Sequence, residues 1–212
     1  MAEYTFYTHP MSRGQIARWA LHEVEADYEQ VLVDWANKSP AFLAANPMGK
    51  VPTIVHHTAE DGSGDHVITE AAAICHYLAE MNPEAGLLPH DEEMADYFRW
   101  LFFAAGPVEQ AISAKNFGFD PADPQQQGTV GFGSFERTMT TLERHVAGGE
   151  YVCGERFTMA DVYVGSMIDW GLNFGIMPPN VAFVSYVDRL RSREAYRAAK
   201  AIDNDLIERS RK

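Results

Sequence analysis

The chain has 212 residues, 46% of them hydrophobic and 12% aromatic, enough to bury one large core or two small ones. Its 30 acidic and 17 basic residues give a formal net charge of −13, a field that repels phosphate backbones and anionic membranes. The expected partners therefore include no nucleic acid and no membrane, and an anionic ligand has to be held by local donors.

The two cysteines, Cys75 and Cys153, lie far apart and in no metal-ligand spacing, so neither a metal site nor a disulfide framework is expected. No basic start and apolar run mark a signal peptide, and no apolar run is long enough to span a bilayer. A cytoplasmic protein is expected.

In chain order, "YTFYTH" (Tyr4 to His9) has strand composition, and Ile16, Trp19, Ala20 and Val24 in "IARWALHEV" repeat at helical spacing. "YEQVLVD" reads as a second strand. "SPAFLAANP" is a short helix with Ser39 as N-cap and Pro40 in its first turn, ending at Asn46 because Pro47 biases that residue away from helical geometry. Strands at Val51 to His56 and His66 to Ile68 flank the turn-rich "TAEDGSGD". "EAAAICHYLAEM" closes this half as a helix with Ala72, Cys75, Leu78 and Ala79 on one face, Cys75 being a core residue. The order is βαβαββα.

"NPEAGLLPHD" reads as a linker, and everything after it is helical in pattern. Asp91, Glu92 and Glu93 suit a helix N-terminus, and the helix through "MADYFRWLFFAAGPVEQAI" should kink at Gly106-Pro107. Phe135, Met139, Leu142 and Val146 define a further helix ended by Gly148-Gly149, and Val181 to Arg191 and Glu194 to Arg209 are amphipathic. "FTMADV" (Phe157 to Val162) is a capping box, Thr158 with Asp161, inside a hydrophobic staple, a folding device with no catalytic role.

One stretch does not fit a plain strand. In "NPMGKVPTIV" (Asn46 to Val55) Pro52 opens an otherwise buried strand although it cannot donate a ladder hydrogen bond. A trans proline at a strand start is the ordinary reading. A cis Val51-Pro52 bond is the alternative, and it turns the main chain of Val51 outward to pair with an extended peptide as a strand edge does.

Taken together, "NKSPAFLAANPMGKVPTIV", "ITEAAAICHYLAE" and "FTMADVYVGSMIDW", joined by a linker of fitting length, resemble the cytosolic glutathione transferase family nearly end to end, in a serine-type or unclassified bacterial-like branch. The resemblance implies an α+β N-terminal thioredoxin-like domain (βαβαββα, with Pro52 in cis) over residues 1–81, a linker over 82–90 and an all-α helical-bundle domain over 91–212. It also implies a homodimer and a detoxifying conjugation in which glutathione is the co-substrate and no other cofactor is needed.

By the same resemblance, Val51 at the Val51-Pro52 pair binds the cysteinyl main chain of glutathione, and Glu70 its γ-glutamyl ammonium. The helix N-terminus at Ala71 holds the γ-glutamyl carboxylate, and Lys50, Lys38 and Asn37 lie where the glycyl carboxylate binds. Position 71 departs from the family pattern, which usually has serine there, so a hydroxyl bond to a charged group, worth about 1.5–3 kcal/mol, is missing. For thiol activation the first turn offers Tyr7, Thr8 and Ser12, with Arg13 adding positive potential, and no cysteine. Ser12 either donates to the thiolate or only caps the first helix. Tyr97, Trp100, Phe103, Phe117 and Phe119 are the candidates for contact with a hydrophobic electrophile between the halves, although aromatic residues at helical spacing are more often core. Peroxide reduction, dehalogenation, isomerisation and a non-catalytic protein-binding module remain alternatives on the same scaffold.

Overall fold

Strands β1 (Tyr4–Thr8), β2 (Tyr28–Leu32), β3 (Thr53–His57) and β4 (Asp65–Thr69) form one sheet in the order β2-β1-β3-β4 in the computed structural model, which describes residues 2–59, 62–119 and 121–211. Glu60 and Asp61 of the turn-rich stretch before β4 lie outside the described residues. Helix α1 (Gly14–Glu23) is the crossover that makes β1 and β2 parallel, whereas β3 pairs antiparallel with both β1 and β4. The short α2 (Pro40–Ala45) precedes β3, and α3 (Ala71–Met81) follows β4. Ser39 caps α2 by accepting from the Phe42 N–H at 3.2 Å. The Val51-Pro52 peptide bond is cis.

The helical part runs through α4 (Met94–Phe103), a π-helical segment Ala104–Val108, α5 (Glu109–Asn116), α6 (Pro124–Thr129), α7 (Phe135–Val146), α8 (Met159–Asn173) and α9 (Val181–Arg191). Pro107 lacks a backbone donor, and the ladder around it widens to the π geometry instead of breaking. The α8 capping box is present: the buried Asp161 carboxylate accepts from the N–H groups of Thr158 (2.8 Å) and Val152 (2.7 Å) and from the hydroxyl of Tyr186 (2.8 Å). Burial pushes its carboxyl up to about 6, against the pull of those donors.

Packing divides the chain at other points than the sequence boundaries. One compact unit is Met1–Gly86 with Ser192–Lys212, and the other is Leu87–Arg191, so the final helix, α10 (Glu194–Ser210), belongs with the sheet and not with the helices preceding it. The reason is a polar contact inside the first unit. Arg18 of α1, fully buried, donates through Nε to Asp203 of α10 at 3.0 Å and through Nη1 to the Tyr28 hydroxyl at 3.1 Å. Around it, Arg193 pairs with Glu23 at 2.7 Å, and the rings of Trp19 and Tyr196 meet edge to face at 5.0 Å. These contacts fix the axis of α1, whose first turn borders the candidate site.

Burial pushes the Asp203 carboxyl up although the Arg18 guanidinium opposes it, as befits a pair that gives up hydration to form. Asp203→Ala leaves a guanidinium buried without its counter-charge and should lower the unfolding free energy by about 3–5 kcal/mol. In urea denaturation, the double replacement Arg18→Met with Asp203→Leu should recover most of that loss. A single variant as stable as the parent contradicts the assignment.

Candidate functional site

The strand register gathers one end of the sheet. Thr53 is paired with Tyr7 on one side and Thr69 on the other. Both ladders end at Thr53, so the loop after β1, the Val51-Pro52 turn and the Glu70-Ala71 start of α3 all leave the sheet at the same end. Residues from three separate parts of the sequence therefore converge: the loop after β1, the turn before β3 and the start of α3.

The turn before β3 is held from inside. The Asn46 side-chain amide, only 5% exposed, donates to Lys50 O and to Thr53 Oγ1, both at 3.0 Å, and accepts from the Met48 N–H at 3.1 Å. Thr53 Oγ1 itself donates to Lys50 O at 3.0 Å. These bonds fix the path through Lys50 and leave Val51 out. Among the described residues, no main-chain hydrogen bond involves Val51, so its N–H and C=O are available to an extended partner.

On the other flank, α3 starts with unmet donors. Its first intrahelical bond runs from the Ile74 N–H to Glu70 O at 2.9 Å, which leaves the N–H groups of Ala71, Ala72 and Ala73 at the positive end of the helix without helix partners. Glu70 precedes them with φ 64°, a conformation that residues with a Cβ rarely adopt, and its side chain is exposed. Ala71 is 8% exposed and offers no hydroxyl.

Lys38 reaches the same turn. A Cβ at Gly49, which has φ +59°, would lie 3.0 Å from Lys38 Nζ, so this ammonium sits over the glycine immediately before the exposed Lys50. Asn37 is exposed in the connection from β2 to α2. Two cations at one turn of a chain with a net charge of −13 form a local exception to the overall field.

In the loop after β1, the Ser12 hydroxyl donates to His9 O at 2.6 Å and accepts from the Gly14 N–H at 2.9 Å. Its proton is engaged within the loop, in a local turn that precedes the N-cap of α1. Arg13 is half-buried at the N-cap position of α1. Tyr7 is 9% exposed and packs with Val33, Phe42 and Val55, its ring 5.2 Å from that of Phe42. Its ring is thus part of the core between β1, α2 and β3. Thr8 is fully buried. His9 is half-buried and escaped sequence reasoning: its Nδ1 accepts from the Met11 N–H at 3.2 Å, and its ring lies 4.9 Å from that of Trp35. Only its place after a strand, beside Pro10, could have flagged it.

The aromatic candidates of the helical unit separate by burial. Tyr97 (0% exposed) and Trp100 (3%) are core residues, Trp100 stacking on His145 at 3.8 Å, so their assignment as substrate contacts is corrected. Helical spacing marks a buried face without saying whether a pocket or a neighbouring helix covers it. Phe103 lines an open cavity of about 300 Å³ with Pro107, Val130 and Phe132, and Phe117 and Phe119 are exposed. Among the described residues, no group of three or more His, Cys, Asp or Glu side chains could hold a metal ion, and no helix is long and apolar enough to cross a membrane.

Residues 2–80 match the family described as "Glutathione S-transferase, N-terminal domain", and residues 91–170 match "Glutathione S-transferase, C-terminal domain". Glutathione S-transferase 2 of Schizosaccharomyces pombe is 30% identical over 187 residues, covering 82% of this chain and 77% of that protein. The chain belongs to the glutathione S-transferase family. It is also 28% identical to the disulfide-bond oxidoreductase YfcG of Escherichia coli over 204 residues, 89% of this chain and 90% of that one. A sphingomonad glutathione S-transferase solved in complex with glutathione superposes with a TM-score of 0.73 at 26% identity, over 94% of this chain and 98% of the other.

The backbone at Glu70 is where strain is stored at this site. Glu70→Gly should raise the unfolding free energy by up to about 1 kcal/mol, the relieved strain less the freedom glycine adds to the unfolded chain. A clear loss of stability in chemical denaturation contradicts that reading of the backbone.

Proposed function

We propose that this protein binds glutathione at the end of the sheet, holds its thiol as the thiolate and transfers it to a hydrophobic electrophile. The observation that carries the proposal is the convergence of three unlike groups on one sheet end: the unpaired main chain of Val51, the N-terminus of α3 with the Glu70 carboxylate, and the Lys38 and Lys50 turn. Glutathione presents a matching series. Its cysteinyl amide suits Val51, its γ-glutamyl carboxylate the N–H groups from Ala71 onward, its ammonium Glu70, and its glycyl carboxylate the two lysines with Asn37. Positive potential from Arg13 and from the N-terminus of α1 favours the thiolate over the thiol.

The electrophile is proposed to be a small apolar compound, for which Phe103, Phe117 and Phe119 remain the aromatic candidates. No metal or further cofactor forms part of the proposal. Family resemblance extends it to a homodimer in the cytoplasm, for which size-exclusion chromatography at twice the chain mass is the check.

Glutathione-dependent disulfide exchange is a second reading, favoured by the similarity to a protein named as a disulfide-bond oxidoreductase. Here too glutathione has to supply the reacting sulfur, since Cys75 is fully buried with its thiol pushed well up by burial, and Cys153 lies in the other unit.

Retention on glutathione resin with elution by free glutathione, then turnover of chlorodinitrobenzene, is the expected result. Turnover of a small dialkyl disulfide without the aromatic conjugate selects the second reading, and binding without turnover of either selects a non-catalytic module. Ala71→Ser should lower the glutathione Kd by about tenfold or more, by adding a hydroxyl bond to the γ-glutamyl carboxylate. An unchanged or weaker Kd by calorimetry contradicts the placement of the ligand.

A further inference from the structure

We propose that the His9 imidazole is the hydrogen-bond donor to the sulfur of bound glutathione, and so a catalytic residue. The inference rests on the glutathione reading above and assigns one group within that site.

Each hydroxyl near the end of β1 is otherwise disposed. The Ser12 proton is directed to His9 O at 2.6 Å, Tyr7 is packed against Phe42, and Thr8 has no exposed surface. His9 is different. Its Nδ1 accepts from the Met11 N–H, so in the neutral ring the hydrogen is on Nε2. Among the described residues, Nε2 has no hydrogen-bond partner, and the ring is held against Trp35 at 4.9 Å with a tilt of 38°. One edge of the imidazole is thus anchored to its own loop, and the other presents an N–H. Burial lowers the His9 pKa, which keeps the ring neutral at pH 7 and this tautomer in place.

The register fixes where that N–H is needed. Tyr7 pairs with Thr53, so His9, two residues after Tyr7, and Val51, two residues before Thr53, leave the same end of that ladder, and the Val51 main chain is the proposed partner of the cysteinyl residue. A thiolate on that residue is an anionic centre that a neutral N–H donor at this end of the sheet suits. The tautomer also fixes the role: with its hydrogen on Nε2 and Nδ1 occupied, the ring donates to the thiolate and does not take the thiol proton, which leaves to solvent. No covalent bond to His9 forms or breaks.

The test titrates the thiolate absorbance of bound glutathione in the wild type, His9→Phe, His9→Gln and Ser12→Ala, and measures S-methylglutathione affinity for each. His9→Phe keeps an aromatic ring against Trp35 and removes the donor. It should raise the bound thiol pKa by about one to two units and lower the rate at neutral pH by a similar power of ten, with S-methylglutathione affinity within about twofold. His9→Gln retains an amide donor and should recover part of the shift. A thiol pKa in His9→Phe equal to the wild-type value overturns the proposal, as does a rise confined to Ser12→Ala. A rise accompanied by lost S-methylglutathione binding makes His9 structural and overturns it too. Failure of the wild type to bind S-methylglutathione removes the glutathione reading itself, and this inference with it.

Discussion

Everything at the candidate site depends on the double pairing of Thr53, to Tyr7 of β1 and to Thr69 of β4. A one-residue slip in either ladder turns each side chain to the opposite face of the sheet and moves Val51 away from the loop after β1 or from the start of α3. The register is protected by what it buries. Ile54 and Val55 sit in the core, Thr53 is fully buried, and its hydroxyl joins the Asn46 amide in holding Lys50 O. Long-range strand pairing and short-range turn chemistry thus meet at a single threonine.

The two units use polar groups in opposite ways. In the helical unit Asp161 collects donors from Val152, Thr158 and Tyr186, so that the start of α8 is closed and satisfied. At the end of the sheet the corresponding groups are left open. Among the described residues the main chain of Val51 is unpaired, the first donors of α3 lack helix partners, and Glu70 carries a positive φ. Open donors and local strain on a well-buried scaffold are what a binding site costs a fold. The proposed tripeptide would use these open groups.

Much of the fold was legible in the sequence because its signals are local. Ser39 before Pro40 and Thr158 with Asp161 act within a few residues and appear where the pattern put them, while at Pro107, where a kink was expected, the helix turns π-helical. The positions that the sequence picked for the site, Val51, Glu70 and the lysines, lie in the turn before β3 and at the start of α3. Burial was not legible, because spacing reports that a face is covered and not by what; Tyr7, Tyr97 and Trp100 carry the polar or aromatic groups a site needs, yet they lie in the core. Long-range polar contacts were also out of reach. Arg18 and Asp203 are 185 residues apart, and each reads as an ordinary surface charge on an amphipathic helix until α10 is seen to pack on α1. His9 and Asn46 escaped for a related reason: one acts through its tautomer and the other through a network inside a turn.

In the proposed complex a tripeptide's main chain completes the open edge at Val51 while its carboxylate completes the start of α3. Amide-resolved NMR titration with S-methylglutathione tests it most directly. Saturating shifts at the N–H groups of Val51, Ala71 and Ala72 with one common Kd are expected. Unmoved resonances at these positions, with the shifts gathered in Leu87–Arg191 instead, would contradict it.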